Sequence, residues 1–113
     1  MADTDYGALY AKREFRSVET EFSLDPDRKL KLSGYRPLWR LPQAGTDPLF
    51  VGLCEMTLVG KDAIRPGETV RADWAFVPAV QGYIEQYVKP GDVIDICEGS
   101  HRVGSVRVLS FVY

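Results

Sequence analysis

Asp92-Val-Ile-Asp-Ile-Cys-Glu-Gly-Ser-His-Arg-Val-Gly-Ser-Val-Arg-Val-Leu-Ser-Phe-Val-Tyr113 is the most strongly patterned part of this 113-residue chain. Two runs of β-formers, 92–97 and 102–112, flank the polar turn Glu98-Gly99-Ser100-His101. Apolar runs broken by a few residues containing Gly predict a β-hairpin. Along the second run Gly104, Val106 and Val108 share one face, while Val103, Leu109 and Phe111 share the other. Both faces carry apolar residues, so this strand is expected to be covered over much of its length. Gly104 sits where a strand must bend or let a neighbouring backbone approach, with Val106 and Val108 expected to point into the barrel.

Working outward, Lys89-Pro90-Gly91-Asp92 introduces the hairpin, and Arg65-Pro66-Gly67-Glu68 repeats the same turn upstream. Pro presets φ at the first central position and Gly supplies the positive φ of a type II turn. Each turn leads into a strand, 69–77 and 93–97. Val70, Ala72, Trp74 and Phe76 form one face of the former. Residues 78–88 lie between them, and Tyr83-Ile-Glu-Gln-Tyr-Val88 reads equally as a helical turn or a strand. The apolar run 49–59 reads as one strand, 38–41 as another, and Pro42 to Pro48 as a surface loop. Val18, Thr20, Phe22 and Leu24 alternate with polar residues, which predicts a half-buried strand ended by Asp25-Pro26-Asp27. Residues 28–33 are a short basic alternation. Residues 1–11 have no sustained period and read as a loose lead-in.

About six short strands joined by Pro/Gly turns make an all-β barrel or sandwich in a single domain over residues 1–113. A barrel has the advantage of removing exposed sheet edges. With 45% hydrophobic residues the chain can build a real core. Its net charge of −2 advertises neither nucleic acid nor an anionic membrane. No apolar run approaches the ~20 residues of a spanning helix. The acidic start Met1-Ala-Asp-Thr-Asp lacks the pattern of a signal peptide, and a cytoplasmic location is the expectation. Cys54 and Cys97, each in a strand-like run, are expected to be buried thiols.

Three stretches carry a family resemblance. Ile96-Cys-Glu98-Gly99-Ser-His-Arg-Val103-Gly104 resembles the Ile-x-Glu-Gly-x-x-x-Val-Gly closing hairpin of the third, C-terminal domain of elongation factor Tu. Gly34-Tyr35-Arg36-Pro37 is identical to the Gly-Tyr-Arg-Pro of that domain, and Arg65-Pro66-Gly67-Glu68 is similar to its Pro-Gly-Asp turn. The resemblance runs in order from about residue 15 to 112. It implies a closed antiparallel β-barrel, with residues 79–89 as a small insertion. That family domain holds the T-stem of aminoacyl-tRNA and contacts a GTPase domain. At the positions of its tRNA contacts this chain has Leu38, Val77 and Gly99, so only the glycine is retained. The family arginine of the hairpin is moved one place, to Arg102.

No Gly-x-x-x-x-Gly-Lys-Ser/Thr phosphate loop is present, and His101 is the sole histidine, so neither a nucleotide motor nor a histidine-based triad is expected. Asp95 and Glu98 read as solvated strand-end charges, and His101 as an exposed turn residue. No enzyme, cofactor or metal site is expected. Arg28, Lys29, Lys31, Arg36, Trp39 and Arg40 form one basic, aromatic-interleaved patch. The candidate binding residues are therefore Arg36, Leu38, Arg40, Val77, Gly99, His101 and Arg102. With apolar residues at the old ligand positions, the expected function is a non-catalytic module for a protein partner, either a translation component or a toxin to be neutralised. RNA or tRNA binding through Arg36, Arg40, Gly99, His101 and Arg102 is the alternative.

Overall fold

Alternation in the sequence becomes alternation in burial. In strand β1 (Ser17–Leu24) every second residue is buried, so Val18, Thr20, Phe22 and Leu24 face the core. The computed structural model describes residues 17–42 and 47–112; the lead-in at 1–11 lies outside them. The described chain continues through β2 (Lys31–Leu32), β3 (Leu38–Leu41), β4 (Leu49–Val51), β5 (Cys54–Leu58), β6 (Ala63–Ile64) and β7 (Thr69–Phe76). A helix, α1 (Pro78–Tyr87), then precedes β8 (Val93–Glu98) and β9 (His101–Val112).

Seven strands form one antiparallel sheet in the order β4-β3-β8-β9-β1-β7-β5, and β2 pairs with β6 as a separate two-stranded flap. The sheet is strongly curled. Strands β3 and β7 stand second and sixth in its order, yet Trp39 of β3 meets Trp74 and Phe76 of β7 edge-to-face, with ring centroids 5.5 and 5.0 Å apart. Phe22 adds a third such contact with Trp74 at 5.4 Å. Edge-to-face rings at this spacing are favoured by their quadrupoles beyond the area they bury. Inside this aromatic centre Trp74 Nε1 donates to Thr20 Oγ1 at 3.0 Å, and Thr20 Oγ1 donates to the Ala72 carbonyl at 2.9 Å. The buried hydroxyl thereby satisfies an indole that would otherwise lack a partner.

The expected closed barrel is not formed. The ladder ends at β4 on one side and β5 on the other. Among the described residues two backbone hydrogen bonds reach across from β5 to the run before β3: Gly34 N–H to the Met56 carbonyl (2.7 Å) and Met56 N–H to the Tyr35 carbonyl (2.9 Å). Gly34 at φ +96° turns the chain there, and Pro37 has no N–H to extend the ladder. The architecture is a curled half-barrel. The strand count also exceeds six, partly because the run 49–59 is broken into β4 and β5 at Gly52-Leu53. Leu53 takes a left-handed φ of +54° there, a conformation that leucine rarely signals.

Both Pro-Gly turns form as the sequence dictates. Gly67 and Gly91 lie at φ +81° and +94°, and the acid that ends each turn reaches back to its first residue. Arg65 N–H donates to Glu68 Oε1 at 2.7 Å, and Lys89 N–H to Asp92 Oδ2 at 2.9 Å. At the hairpin tip Gly99 takes φ +60° ahead of Ser100, the arrangement of a type II′ turn. The open segment 78–88 is a helix. Pro78 starts it where a missing N–H costs nothing, and Pro90 follows its end. Ile84 is its buried residue, with Val80 and Tyr87 packed against the core.

Gly104 is buried between β8 and β1, together with Val106 and Val108. A Cβ there would stand 2.2 Å from the Ser23 carbonyl oxygen and 3.0 Å from Phe22 Cε1. A bulge between Ile96 and Cys97 makes Val103 an extra residue in β9, which is why Val103 is buried as well.

Candidate interaction surface

One end of the curled sheet gathers the flap, the Arg65–Glu68 turn and the β8–β9 hairpin tip. The flap pairs Lys31 with Ile64 and Leu32 with Ala63. Its turn is anchored to β1 by Gly67 N–H to the Leu24 carbonyl (2.9 Å) and Leu24 N–H to the Glu68 carbonyl (3.0 Å). Leu58 N–H donates to Ser33 Oγ at 2.9 Å, which ties the end of β5 to the residue after Leu32.

The flap is inverted relative to the usual β pattern. In a half-buried strand the leucines of Lys29-Leu30-Lys31-Leu32 would turn inward. Instead Leu30 and Leu32 are 49% and 57% exposed, Val59 is 46% exposed, and the Lys31 side chain is 17% exposed. Lys31 is held inward by a specific site: Nζ donates to Glu98 Oε1 at 2.8 Å and lies 4.8 Å from the centre of the Tyr35 ring. The Tyr35 hydroxyl donates to the same oxygen at 2.6 Å. Because side chains alternate with a period of two, fixing Lys31 inward turns Leu32, its neighbour in β2, outward.

These contacts set the local electrostatics. The hydrogen bonds from Lys31 and Tyr35 hold the Glu98 carboxyl below its ordinary range. Burial, reinforced by the hydrogen bond to the Glu98 carboxylate, pushes the Tyr35 phenol well above its ordinary value. Both groups are driven away from neutrality, so each keeps one protonation state there. That suits a fixed clamp.

The candidate residues named from the sequence are only partly brought together. Arg40 and Arg102 converge on Asp95, at 3.6 and 3.7 Å, and Arg102 also reaches Asp25 at 3.4 Å. Gly99 and His101 are exposed at the hairpin tip, beside Glu98 and so beside the flap. Arg36 lies apart, with Nη2 2.7 Å and Nε 3.1 Å from Glu55 Oε2. Leu38 is half-buried over Gly52, where a Cβ would stand 3.0 Å from its Cδ2. Val77 is 3% exposed at the start of α1, with its N–H bonded to the Leu53 carbonyl, so it presents no side chain to a partner. Its place as the N-cap of a helix, which the sequence left open, is the physical reason. Of the basic patch, Trp39 is core, and Arg40 is tied to a carboxylate.

Cys54 is a buried thiol pushed up to about 12 by burial, with Sγ donating to the Pro37 carbonyl at 3.4 Å. Cys97 is buried and raised as well, by burial and then by Asp95. Both are free cysteines. Among the described residues no cluster of His, Cys, Asp and Glu is arranged to hold a metal, and no helix is long and apolar enough to cross a membrane. Comparison with protein-family models and with curated proteins finds no match to this chain.

Proposed function

We propose that this chain is a non-catalytic binding module that engages a protein partner through the outward face of its flap. The carrying observation is the inversion at β2: Leu30 and Leu32 stand in solvent while Lys31 is clamped inward by Glu98 and Tyr35. Exposing Leu30, Leu32 and Val59 has a cost in water, and an apolar patch with a polar rim is the anatomy of a protein interface. The hairpin tip, with Gly99, His101 and Arg102, supplies part of that rim.

The likeness of Gly34–Pro37, Arg65–Val70 and Ile96–Gly104 to the third domain of elongation factor Tu supports a partner in translation, and on this reading the half-barrel is a relative of that domain. The same module would also serve to neutralise a toxin. A cytoplasmic setting goes with this reading, in keeping with two unpaired, buried cysteines. RNA binding is less well supported, because Arg36, Arg40 and Arg102 each lie against a carboxylate of the chain itself. The deciding experiment is affinity capture from a native extract with the wild-type chain and with Leu30→Ser/Leu32→Ser. A protein retained by the first and lost by the second supports the reading. Capture unchanged by the double substitution, or recovery of RNA alone, overturns it.

A further inference from the structure

The chemistry of the partner segment can be read from the charges that border the leucines, granting that the flap is the interface. Most acids at this end of the sheet are occupied. Glu98 is held by Lys31 and Tyr35, Asp25 by Arg102, and Glu68 by Lys61 (3.2 Å) and the Arg65 N–H. Asp27 lies 3.9 Å from Arg28. The cations are less completely used. Neither the Lys29 ammonium nor the Arg65 guanidinium has a hydrogen bond or ion pair among the described residues, and both residues are exposed. Lys29 directly precedes Leu30. Arg65 follows Ile64 of β6, which pairs with Lys31, so one step beyond the ladder it stands opposite Leu30. Arg65 shares only the wider field of Glu68, without an ion pair, and among the described residues of this end Asp62, near the far end of the flap, is the acid without a hydrogen bond or ion pair.

We propose that the Leu30–Leu32 face binds a protein segment in which carboxylates flank a large apolar side chain. The apolar group covers the leucines, and the carboxylates meet Lys29 and Arg65. Arg offers a planar fork that matches a carboxylate, and long cations at an interface rim steer an acidic partner toward it. A second copy of this chain fits poorly, because an isologous contact through this face would set Lys29 and Arg65 against their own equivalents. Single-stranded nucleic acid would be expected to use exposed aromatic rings for stacking, and the exposed residues at the centre of this face are aliphatic.

The test is selection of random 12-residue peptides on the purified chain. Anisotropy of a synthesised, labelled copy of the most enriched peptide follows, at low and at physiological salt. Enrichment of Asp and Glu within four positions of Leu, Ile or Phe is expected. Lys29→Glu/Arg65→Glu should weaken that peptide at least tenfold with little change in the melting temperature, since neither side chain makes a hydrogen bond or ion pair in the fold. Leu30→Ser/Leu32→Ser should abolish binding. Peptides selected without acidic enrichment, or affinity indifferent to the charge reversal, overturn this inference while leaving the protein-partner reading intact. Failure to select any peptide also overturns it. If the chain also binds transfer RNA or phosphatidylserine vesicles through the same leucines, the protein-partner reading falls with it.

Discussion

The hydroxyl of Tyr35 donates to Glu98 Oε1 at 2.6 Å, joining two short motifs that lie 63 positions apart in the chain. The same carboxylate oxygen takes Lys31 Nζ, so one acceptor ties together the flap, the run before β3 and the hairpin tip. The outward leucines depend on this junction.

Tyr35→Phe should cost about 1 kcal/mol in a urea melt at pH 7, the usual worth of a hydrogen bond to a partly solvated partner. The pH dependence has two limbs. Tyr35 is raised in the folded state, so its contribution is fully present below its ordinary value near 10 and is lost as pH rises above that. Glu98 is lowered, so its contribution is present above the ordinary carboxylate value and is lost as pH falls below it. Stability curves of the wild type and Tyr35→Phe should therefore converge above pH 10, and Glu98→Gln should flatten part of the acid limb. Parallel curves above pH 10 would show that the phenol is not held by this site.

Gly104→Ala should destabilise by about 3 kcal/mol, at the upper end for overpacking. The added Cβ would meet a backbone oxygen, Ser23 O at 2.2 Å, and the β1–β9 ladder holds that oxygen in place. His101→Ala, on the exposed tip of the same hairpin, should stay within about 0.5 kcal/mol. Denaturant midpoints of the two variants check both values.

Thr20→Val keeps the volume near Trp74 but removes the acceptor of its indole N–H and the donor to the Ala72 carbonyl. A cost of about 2 kcal/mol is expected, since two buried polar groups lose their partner. Thr20→Ser should recover most of it. Equal stability of the Val and Ser variants would show that the network contributes nothing.

Leu53→Gly should stabilise the protein slightly, by roughly 0.5 kcal/mol. A left-handed leucine costs ~1–2 kcal/mol, and glycine gives back part of that gain through its freedom in the unfolded chain, ~0.4–1 kcal/mol. Thermal melts of the wild type and the variant would show the difference.

How much of this was legible in the sequence depended on whether the cause was local. The Pro-Gly turns, the closing hairpin and the close approach at Gly104 each follow from residues within a few positions of one another. The split at Gly52-Leu53 was hidden because tertiary context imposes the positive φ on a leucine. The helix at 78–87 was ambiguous because its N-cap, Val77, makes no side-chain cap hydrogen bond. The resemblance pointed to Leu38 and Val77 as a binding face, and packing places one half-buried and the other in the core. Nor could the Lys31–Tyr35–Glu98 junction be found by pattern. Glu98 lies 63 positions from Tyr35 and 67 from Lys31, and Lys-Leu-Lys-Leu by itself reads as a strand with its leucines inward.

Whether the flap offers its leucines to a protein can be read by site-directed photo-crosslinking. A photoreactive phenylalanine analogue is placed in turn at Leu32, Val59, Thr57 and Arg71, and the chain is irradiated in a native extract. A discrete protein adduct is expected at Leu32 and Val59, competed by excess wild-type chain but not by Leu30→Asp/Leu32→Asp, and none at Thr57 or Arg71, exposed on β5 and β7. Adducts confined to Thr57 and Arg71, or adducts at Leu32 that contain only RNA, would contradict it.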